Sequence, residues 1–220
     1  MNSAEFLLWV RGPGLGIATV IFALGMSIRV VEIFMLGRKK NLAKLRSSGV
    51  AEGFKTIFTR SMMNDRNTLK RSLFVYVAGY TFHIGLFVAI FTFAPHIELI
   101  DEVLHLRWGS LPSTVVDFFT VIAMIALIAI LFRRMTHPVL KFLSRREDYL
   151  VWTVTFLPLL TGYLSYHHLL LPYTWMLAVH ILSVEILMVV FPFTKLTHTF
   201  TTFTSRFYNG SISGQKGVQS

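Results

Sequence analysis

Five runs of apolar residues, each about twenty residues long, alternate with polar segments along the chain. The runs cover residues 14–36, 72–95, 113–132, 149–171 and 175–198. Twenty residues of α-helix rise about 30 Å, which is the thickness of the hydrocarbon core of a bilayer. The first run is too long for a signal-peptide core, and a basic stretch follows it instead of a small-residue cleavage site. The pattern predicts an all-α membrane protein, a five-transmembrane-helix bundle.

The charges of the polar segments predict how this bundle is oriented. The segment after the first run, 38–71, carries ten Lys and Arg residues and the segment after the third run carries five, while Lys195 at the end of the fifth run and Arg206 and Lys216 after it add three. The alternate segments carry only Arg11 and Arg107. Because Lys and Arg accumulate in cytoplasmic segments, we expect the N-terminus outside, the C-terminus in the cytoplasm, and the chain in the cell inner membrane. Residues 1–205 then form the membrane domain and 206–220 a flexible cytoplasmic tail.

Composition narrows the chemistry. Of the 220 residues, 54% are hydrophobic, which suits a surface that faces lipid. The net charge of +10 lies between the apolar runs, where the bilayer explains it without nucleic acid. The absence of cysteine excludes disulfides, iron–sulfur ligation and the covalent attachment of c-type heme. Any redox centre in this chain is therefore held by His, Met or other non-thiol ligands.

Histidines in the apolar runs are the strongest candidates for chemistry, because titratable groups inside a membrane are costly and usually functional. His180 and His198 are eighteen residues apart in the fifth run. On one straight helix that spacing makes five whole turns, so both side chains point the same way about 27 Å apart. Two stacked b-type hemes, each ligated by histidines from two facing helices, need such an arrangement.

The second run must supply the opposing ligands. His83 lies mid-way along it and is the natural partner of His198. The partner of His180 stays open among His96, His105, His167 and His168. His96 is thirteen residues beyond His83, a turn of about 220°, so on a straight helix it points away. Pro95 can end or bend the helix there and change that direction. The alternative is that these histidines only form hydrogen bonds between helices.

Two motifs then bring a family into view. They are Phe82-His83-Ile84-Gly85 in the second run and Phe191-Pro192-Phe193-Thr194-Lys195-Leu196-Thr197-His198 in the fifth, with His180 eighteen residues before the last histidine. In these motifs, in the five helices and in orientation, the chain resembles the cytochrome b gamma subunit of respiratory nitrate reductase. It also resembles the similar membrane subunits of heterodisulfide-reductase-like complexes. The resemblance covers most of the chain, but the motifs occupy only the second and fifth helices.

The resemblance implies ligands, substrate and partner. His83 and His198 would hold an inner heme b, and His180 an outer one. In nitrate reductase the outer ligand of the second helix comes ten residues after the first, which here is Phe93. Either His96 or another outer histidine has taken that role, or one heme remains. Family members exchange electrons with the quinone pool near the outer heme and with an iron–sulfur protein docked on the cytoplasmic face.

Three further polar residues lie in the apolar runs. Arg29 in the first run either pairs with a heme propionate or extends to the lipid headgroups. Glu185 in the fifth run is either a proton relay or a structural acid. Asp117, with Arg107 in the segment before it, is a candidate for binding a quinone and moving its protons.

Taken together, the sequence predicts a membrane-anchor cytochrome b that transfers electrons between the quinone pool and a cytoplasmic iron–sulfur or other catalytic subunit. One or two bis-His hemes b would carry them, with candidate residues His83, His198, His180, His96 and Arg29. The alternative is a heme-free small transporter or anchoring subunit, and paired breaks in two helices would favour a transporter.

Overall fold

The computed structural model describes residues 2–36, 44–62 and 66–218, and every regular element in these ranges is helical. In chain order the elements are α1 (Ser3–Trp9), a π-helical turn (Val10–Gly14), α2 (Leu15–Met35), α3 (Val50–Ser61), α4 (Arg66–Thr92), α5 (Ala94–Leu104), α6 (Ser113–Thr136), α7 (Pro138–Leu143), α8 (Arg146–Tyr166), α9 (Tyr173–Val190), two 3₁₀ turns (Phe191–Phe193 and Lys195–Thr197) and α10 (His198–Gln215). The predicted all-α class is therefore confirmed.

Four helical stretches are long and apolar enough to cross a membrane. They are Ser3–Met35, Lys70–Thr92, Ser113–Thr136 and Tyr173–Phe193. Large apolar side chains are exposed on all four, among them Leu24, Phe87, Phe118 and Ile186. Apolar surface on this scale is stable only in lipid, so the chain is a multi-pass membrane protein. The fourth predicted span, 149–171, corresponds to α8, which carries Tyr, Thr, Pro, Gly and Ser among its aliphatic residues and is not one of these four stretches.

The first helix begins earlier than the predicted residue 14. Asn2 caps it, since its side-chain oxygen accepts a hydrogen bond from the Glu5 N–H while the Glu5 carboxylate accepts one from the Asn2 N–H. Pro13 does not end the helix, because the π-helical turn absorbs it and α2 continues from Leu15.

The second helix ends earlier than the predicted residue 95. Helix α4 stops at Thr92, Phe93 is extended, and α5 starts at Ala94 with Pro95 in its first turn. The loop after α5 returns to this break, where the Leu111 N–H donates to the carbonyl of Thr92. The hydrophobic pattern does not predict α5, because its sequence mixes acidic and apolar residues.

The fifth helix is not continuous over 175–198 as predicted. Helix α9 ends at Val190 and two 3₁₀ turns follow, the first of which contains Pro192. Proline has no N–H and disfavours continuation of an α-helix. The five-turn spacing that aligns His180 with His198 therefore does not describe this segment.

The predicted flexible tail from 206 is largely helical, because α10 runs from His198 to Gln215 and packs along α3. Its glycines permit the close approach: a Cβ at Gly210 would lie 2.6 Å from the carbonyl oxygen of Glu52. Phe54 and Phe207 meet edge to face at 5.1 Å between ring centres. A Gly- and Ser-rich composition indicates disorder in a free segment, and here the same small residues form a helix interface.

Contacts divide the chain into two units. The first comprises Met1–Ile21 and Phe74–Val190, and the second Phe22–Leu73 and Phe191–Ser220. In the first unit, α4, α6 and α8 share a core of small and apolar residues, namely Ala78, Phe82, Ala89, Ala123, Ala126, Leu127 and Leu159. Helix α9 packs against α8 on one side and against α1 and the π-helical turn on another. The second unit is centred on the α3–α10 pair.

Candidate functional site

The break between α4 and α5 turns His96 towards α9. The imidazole Nδ1 of His96 lies 2.8 Å from the carbonyl oxygen of Ala89, one element back along the chain. The ring centre of His96 is 6.2 Å from that of His180 on α9, with 22° between the two ring planes. Of the four outer histidines that the sequence left open, His96 is thus the one that the structure brings to His180.

Both histidines of this pair present Nδ1 to an oxygen. For His96 that oxygen is the carbonyl of Ala89, so Nδ1 carries the proton and Nε2 keeps its lone pair. The Nδ1 of His180 lies 3.2 Å from the Thr161 hydroxyl, and the His180 imidazole also forms a hydrogen bond with the backbone of Pro158 on α8. Burial lowers the pKa of the His96 imidazole, an effect that the bond to Ala89 partly opposes. A neutral ring with its second nitrogen fixed in this way is the form that ligates a metal.

Small and hydroxyl residues of α8 and α9 position the His180 ring. A Cβ at Gly162 would lie 3.0 Å from the His180 Cε1 atom, so the glycine leaves the space that the ring occupies. The hydroxyl of Thr161 lies 3.0 Å from that of Ser183, which donates to the carbonyl of His180. Sequence reasoning missed Thr161 and Ser183, because hydroxyl residues are common in apolar helices.

A chain of ring contacts leads from the pair to an acid–base dyad. Phe93 lies 5.3 Å from His96 and 5.3 Å from Tyr166, and Tyr166 lies 5.1 Å from His167, all between ring centres. The Nε2 atom of His167 is 3.1 Å from the Asp117 carboxylate, and about a third of each side chain is exposed. The sequence groups Asp117 with Arg107 as candidates for binding a quinone. In the structure, Arg107 pairs with Asp101.

The other candidate ligands lie in different units. His83 belongs to α4 in the first unit, where its Nδ1 lies 2.7 Å from the carbonyl of Gly79 and its ring meets Phe82 edge to face. His198 is the first residue of α10 in the second unit and is exposed, with Nδ1 2.8 Å from the Lys195 carbonyl.

Arg29 is held by protein groups in the second unit. Its Nε donates to the carbonyl of Pro192 and its Nη1 to the carboxylate of Glu32, both at 2.8 Å. A Cβ at Gly25 would lie 2.6 Å from the Pro192 Cβ, so the helix and the 3₁₀ turn are in close contact there. Arg29 thus positions this turn, and its remaining N–H groups are those that a propionate or a headgroup could take.

The remaining histidines do not join the pair. His105 and His168 have positive φ angles of 54° and are exposed; His105 caps the C-terminus of α5, and His168 lies two residues after the end of α8. The ring of His168 is tilted by 37° against that of Tyr173, with 4.9 Å between ring centres. His137 is an exposed residue just before α7.

The His96–His180 spacing fits two axial ligands of one iron. Each metal–nitrogen bond is about 2 Å and each ring nitrogen lies about 1 Å from its ring centre, so two ligands across one metal have ring centres roughly 6 Å apart. The observed 6.2 Å agrees with this distance. Across residues 2–36, 44–62 and 66–218 there is no group of three or more His, Cys, Asp and Glu residues suited to a metal ion.

Comparisons with known proteins do not indicate a function for this chain. No family model matches the chain. A protein of Nitratidesulfovibrio vulgaris (strain Hildenborough), named without a functional description, is 35% identical over 133 residues. The matched part is 60% of this chain and 58% of that protein, so the chain spans less than two thirds of its relative. No solved structure matches.

Proposed function

We propose that the chain is a membrane-anchor cytochrome b, similar to the gamma subunits of respiratory nitrate reductase. It passes electrons between the quinone pool and a cytoplasmic iron–sulfur or other catalytic subunit. The observation that carries this proposal is the pair of imidazoles on α5 and α9, 6.2 Å apart between ring centres and each with Nδ1 on an oxygen. The pair would hold the iron of one heme b.

The residues around the pair have separate roles in this proposal. Ala89 and Thr161 hold the two rings through Nδ1, and Gly162 leaves room for His180. Iron held by two imidazoles has no open position, so the group supplies one-electron transfer and no oxygen chemistry. Arg29 is one of the heme-binding candidates. Its guanidinium group pairs with Glu32, so only its remaining N–H groups could bind a heme propionate.

Quinol chemistry needs a proton acceptor as well as an electron acceptor, and the Asp117–His167 dyad supplies one. A quinol hydroxyl that approaches His167 can donate its proton to an imidazole already oriented by a carboxylate at 3.1 Å. A series of ring contacts through Tyr166 and Phe93 links this dyad to His96, which supports the proposal. The dyad is therefore our candidate for the quinone site.

The proposed topology has five spans, with the N-terminus outside and the C-terminus in the cytoplasm of the cell inner membrane. Helix α8 is the span that brings the number from four to five. It has 21 residues and packs between α6 and α9, both of which are long and apolar enough to cross the membrane. With this topology, the His96–His180 pair and the Asp117–His167 dyad lie towards the outer side, and the basic segment 38–71 lies inside.

The test is a reduced-minus-oxidised spectrum of the purified full chain from heme-replete cells, with heme quantified per chain as pyridine hemochrome. We expect one or two hemes b per chain, and His96→Ala and His180→Ala should each remove the same single heme. His105→Ala is the matched control, because His105 is an exposed histidine at the other end of α5 and should change nothing. A folded preparation without heme would overturn the proposal in favour of a heme-free transporter or anchoring subunit.

A further inference from the structure

A carboxyl group is buried inside the first unit, and one of its oxygens accepts no hydrogen bond. Glu185 lies mid-way along α9 and is 5% exposed. It faces the π-helical turn of the N-terminal helix: a Cβ at Gly14 would lie 3.0 Å from its Oε1 and 3.1 Å from its Oε2. The Trp9 ring lies 3.1 Å from that same Cβ position. The carboxyl group therefore packs against the backbone of the π-helical turn at Gly14.

Glu185 has neither a hydrogen bond to Oε1 nor a cation beside it. Its Oε1 is fully buried and accepts no hydrogen bond, and among the described residues no ion pair includes Glu185. An unpaired carboxylate is among the most costly groups to place in an apolar interior. A proton removes the charge at once, so the neutral acid is the form that suits this position.

A neutral acid could donate a hydrogen bond to a backbone carbonyl of the π-helical turn, whereas a carboxylate could not. Pro13 has no N–H, so one carbonyl of the preceding turn lacks its usual helical donor. A protonated carboxyl has an O–H donor, whereas a carboxylate only accepts. Helix breaks of this kind at membrane depth are tolerated where another group satisfies the backbone.

We propose that Glu185 and the π-helical turn Val10–Gly14 form a proton-binding site within the membrane-spanning bundle. The ligand is a proton, which converts the carboxylate to the neutral acid with no electron transferred. A metal cation would need several oxygen ligands, and the described part of the chain groups no three acidic or histidine residues in one place. The site stands on this geometry alone and does not rest on the heme proposal.

Other titratable groups on the elements around Glu185 have their own surroundings. On α1 and the π-helical turn, Glu5 bonds Asn2, and Arg11 is an exposed residue paired with Glu102. The titratable residues of α8 and α9 are Arg146, Glu147, Asp148, Tyr149, Tyr163, Tyr166, Tyr173 and His180. None of these described residues forms a hydrogen bond or an ion pair with Glu185, so the bound proton belongs to one carboxyl group.

Infrared spectroscopy of the purified full chain tests this site. We expect the carbonyl stretching band of a protonated carboxylic acid at neutral pH, a shift of that band in D₂O, and its loss in alkali. Glu185→Gln should remove the band. Glu32→Gln should leave it, because Glu32 is an exposed carboxylate of the same N-terminal span paired with Arg29. A wild-type protein without the band, a band that survives in Glu185→Gln, or one that ignores D₂O or alkali would each overturn the proposal.

A second pair of variants keeps the test valid if Glu185→Gln does not fold. Gly14→Ala retains the carboxyl but crowds both of its oxygens, so the band should move. Gly16→Ala adds the same methyl group to α2 where a Cβ has nothing within 4 Å, and the band should stay. Equal spectra for these two variants would contradict the placement of the carboxyl group on the π-helical turn.

Discussion

Gly162 illustrates how one missing methyl group decides whether a histidine can take its position. The His180 ring occupies space that any larger residue on that turn of α8 would need. The backbone there is helical, so the requirement is for room and not for an unusual φ angle. The same ring is oriented by Thr161 and, through the His180 carbonyl, by Ser183. Support of this kind commonly decides how tightly histidine ligands hold a metal.

Gly162→Ala should therefore weaken heme binding, by about 10- to 100-fold, as for other residues that orient metal ligands. The new Cβ would lie 3.0 Å from the His180 Cε1 atom and push the ring from its place. Alanine favours helix over glycine by about 1 kcal/mol, so a weaker α8 would not explain the loss. Heme titration of the apoprotein measures the effect.

The control for this prediction is Gly16→Ala, a helical glycine whose added Cβ has nothing within 4 Å. Its heme affinity should equal that of the wild type. Equal affinities for Gly162→Ala and wild type would show that the His180 ring has another way to reach iron.

At the scale of elements, a proline can determine where a helix ends and in which direction the next side chains point. Phe93 is extended, and Pro95 starts the first turn of α5, so His96 leaves the direction that a continuous α4 would give it. The sequence alone could not fix that direction, because Pro95 permits either a bend or an end. At the N-terminus the opposite happens: Pro13 sits inside a helix that continues through a π-helical turn. The difference depends on packing against α9, which is not a local property of the sequence.

Pro95→Ala should let α4 continue past Thr92 in part of the population and turn His96 away from His180. We expect loss of one heme per chain by pyridine hemochrome, with helical content by circular dichroism unchanged or slightly higher. Pro138→Ala is the matched control, since Pro138 also starts a helix after an extended residue, His137. If Pro95→Ala kept all of its heme, the hydrogen bond from the Leu111 N–H to the Thr92 carbonyl would be the feature that maintains the break between α4 and α5.

At the scale of the whole molecule, hydrophobic length is the property that sequence predicts best. Four of the five predicted spans match helices that are long and apolar enough to cross a membrane, because length and hydropathy are local. The meeting of His96 with His180 and the pairing of α3 with α10 could not be predicted, since both join distant segments through small residues. Helix α8 is the intermediate case, with a helical pattern and a mixed composition.

The proposed crossing of α8 can be tested directly because the chain has no cysteine. In the proposed topology, single cysteines in place of Ser110 and Leu169 react with an impermeant maleimide from outside, and one in place of Phe142 reacts only after permeabilisation. All three positions are exposed, and Phe142 and Leu169 flank α8. Labelling of Phe142→Cys and Leu169→Cys from the same side would show that α8 does not cross.

The α3–α10 pair has a consequence for how the protein is made. Ser47, just before α3, donates a hydrogen bond to the carbonyl of Gly214, 167 residues later. During synthesis α3 leaves the ribosome long before α10 exists. The face of α3 that contains Gly53 and Thr56 is then not yet covered by α10. This pairing completes only after α4 to α9 have been translated, so a nascent chain that stalls earlier displays an uncovered α3 to chaperones and proteases.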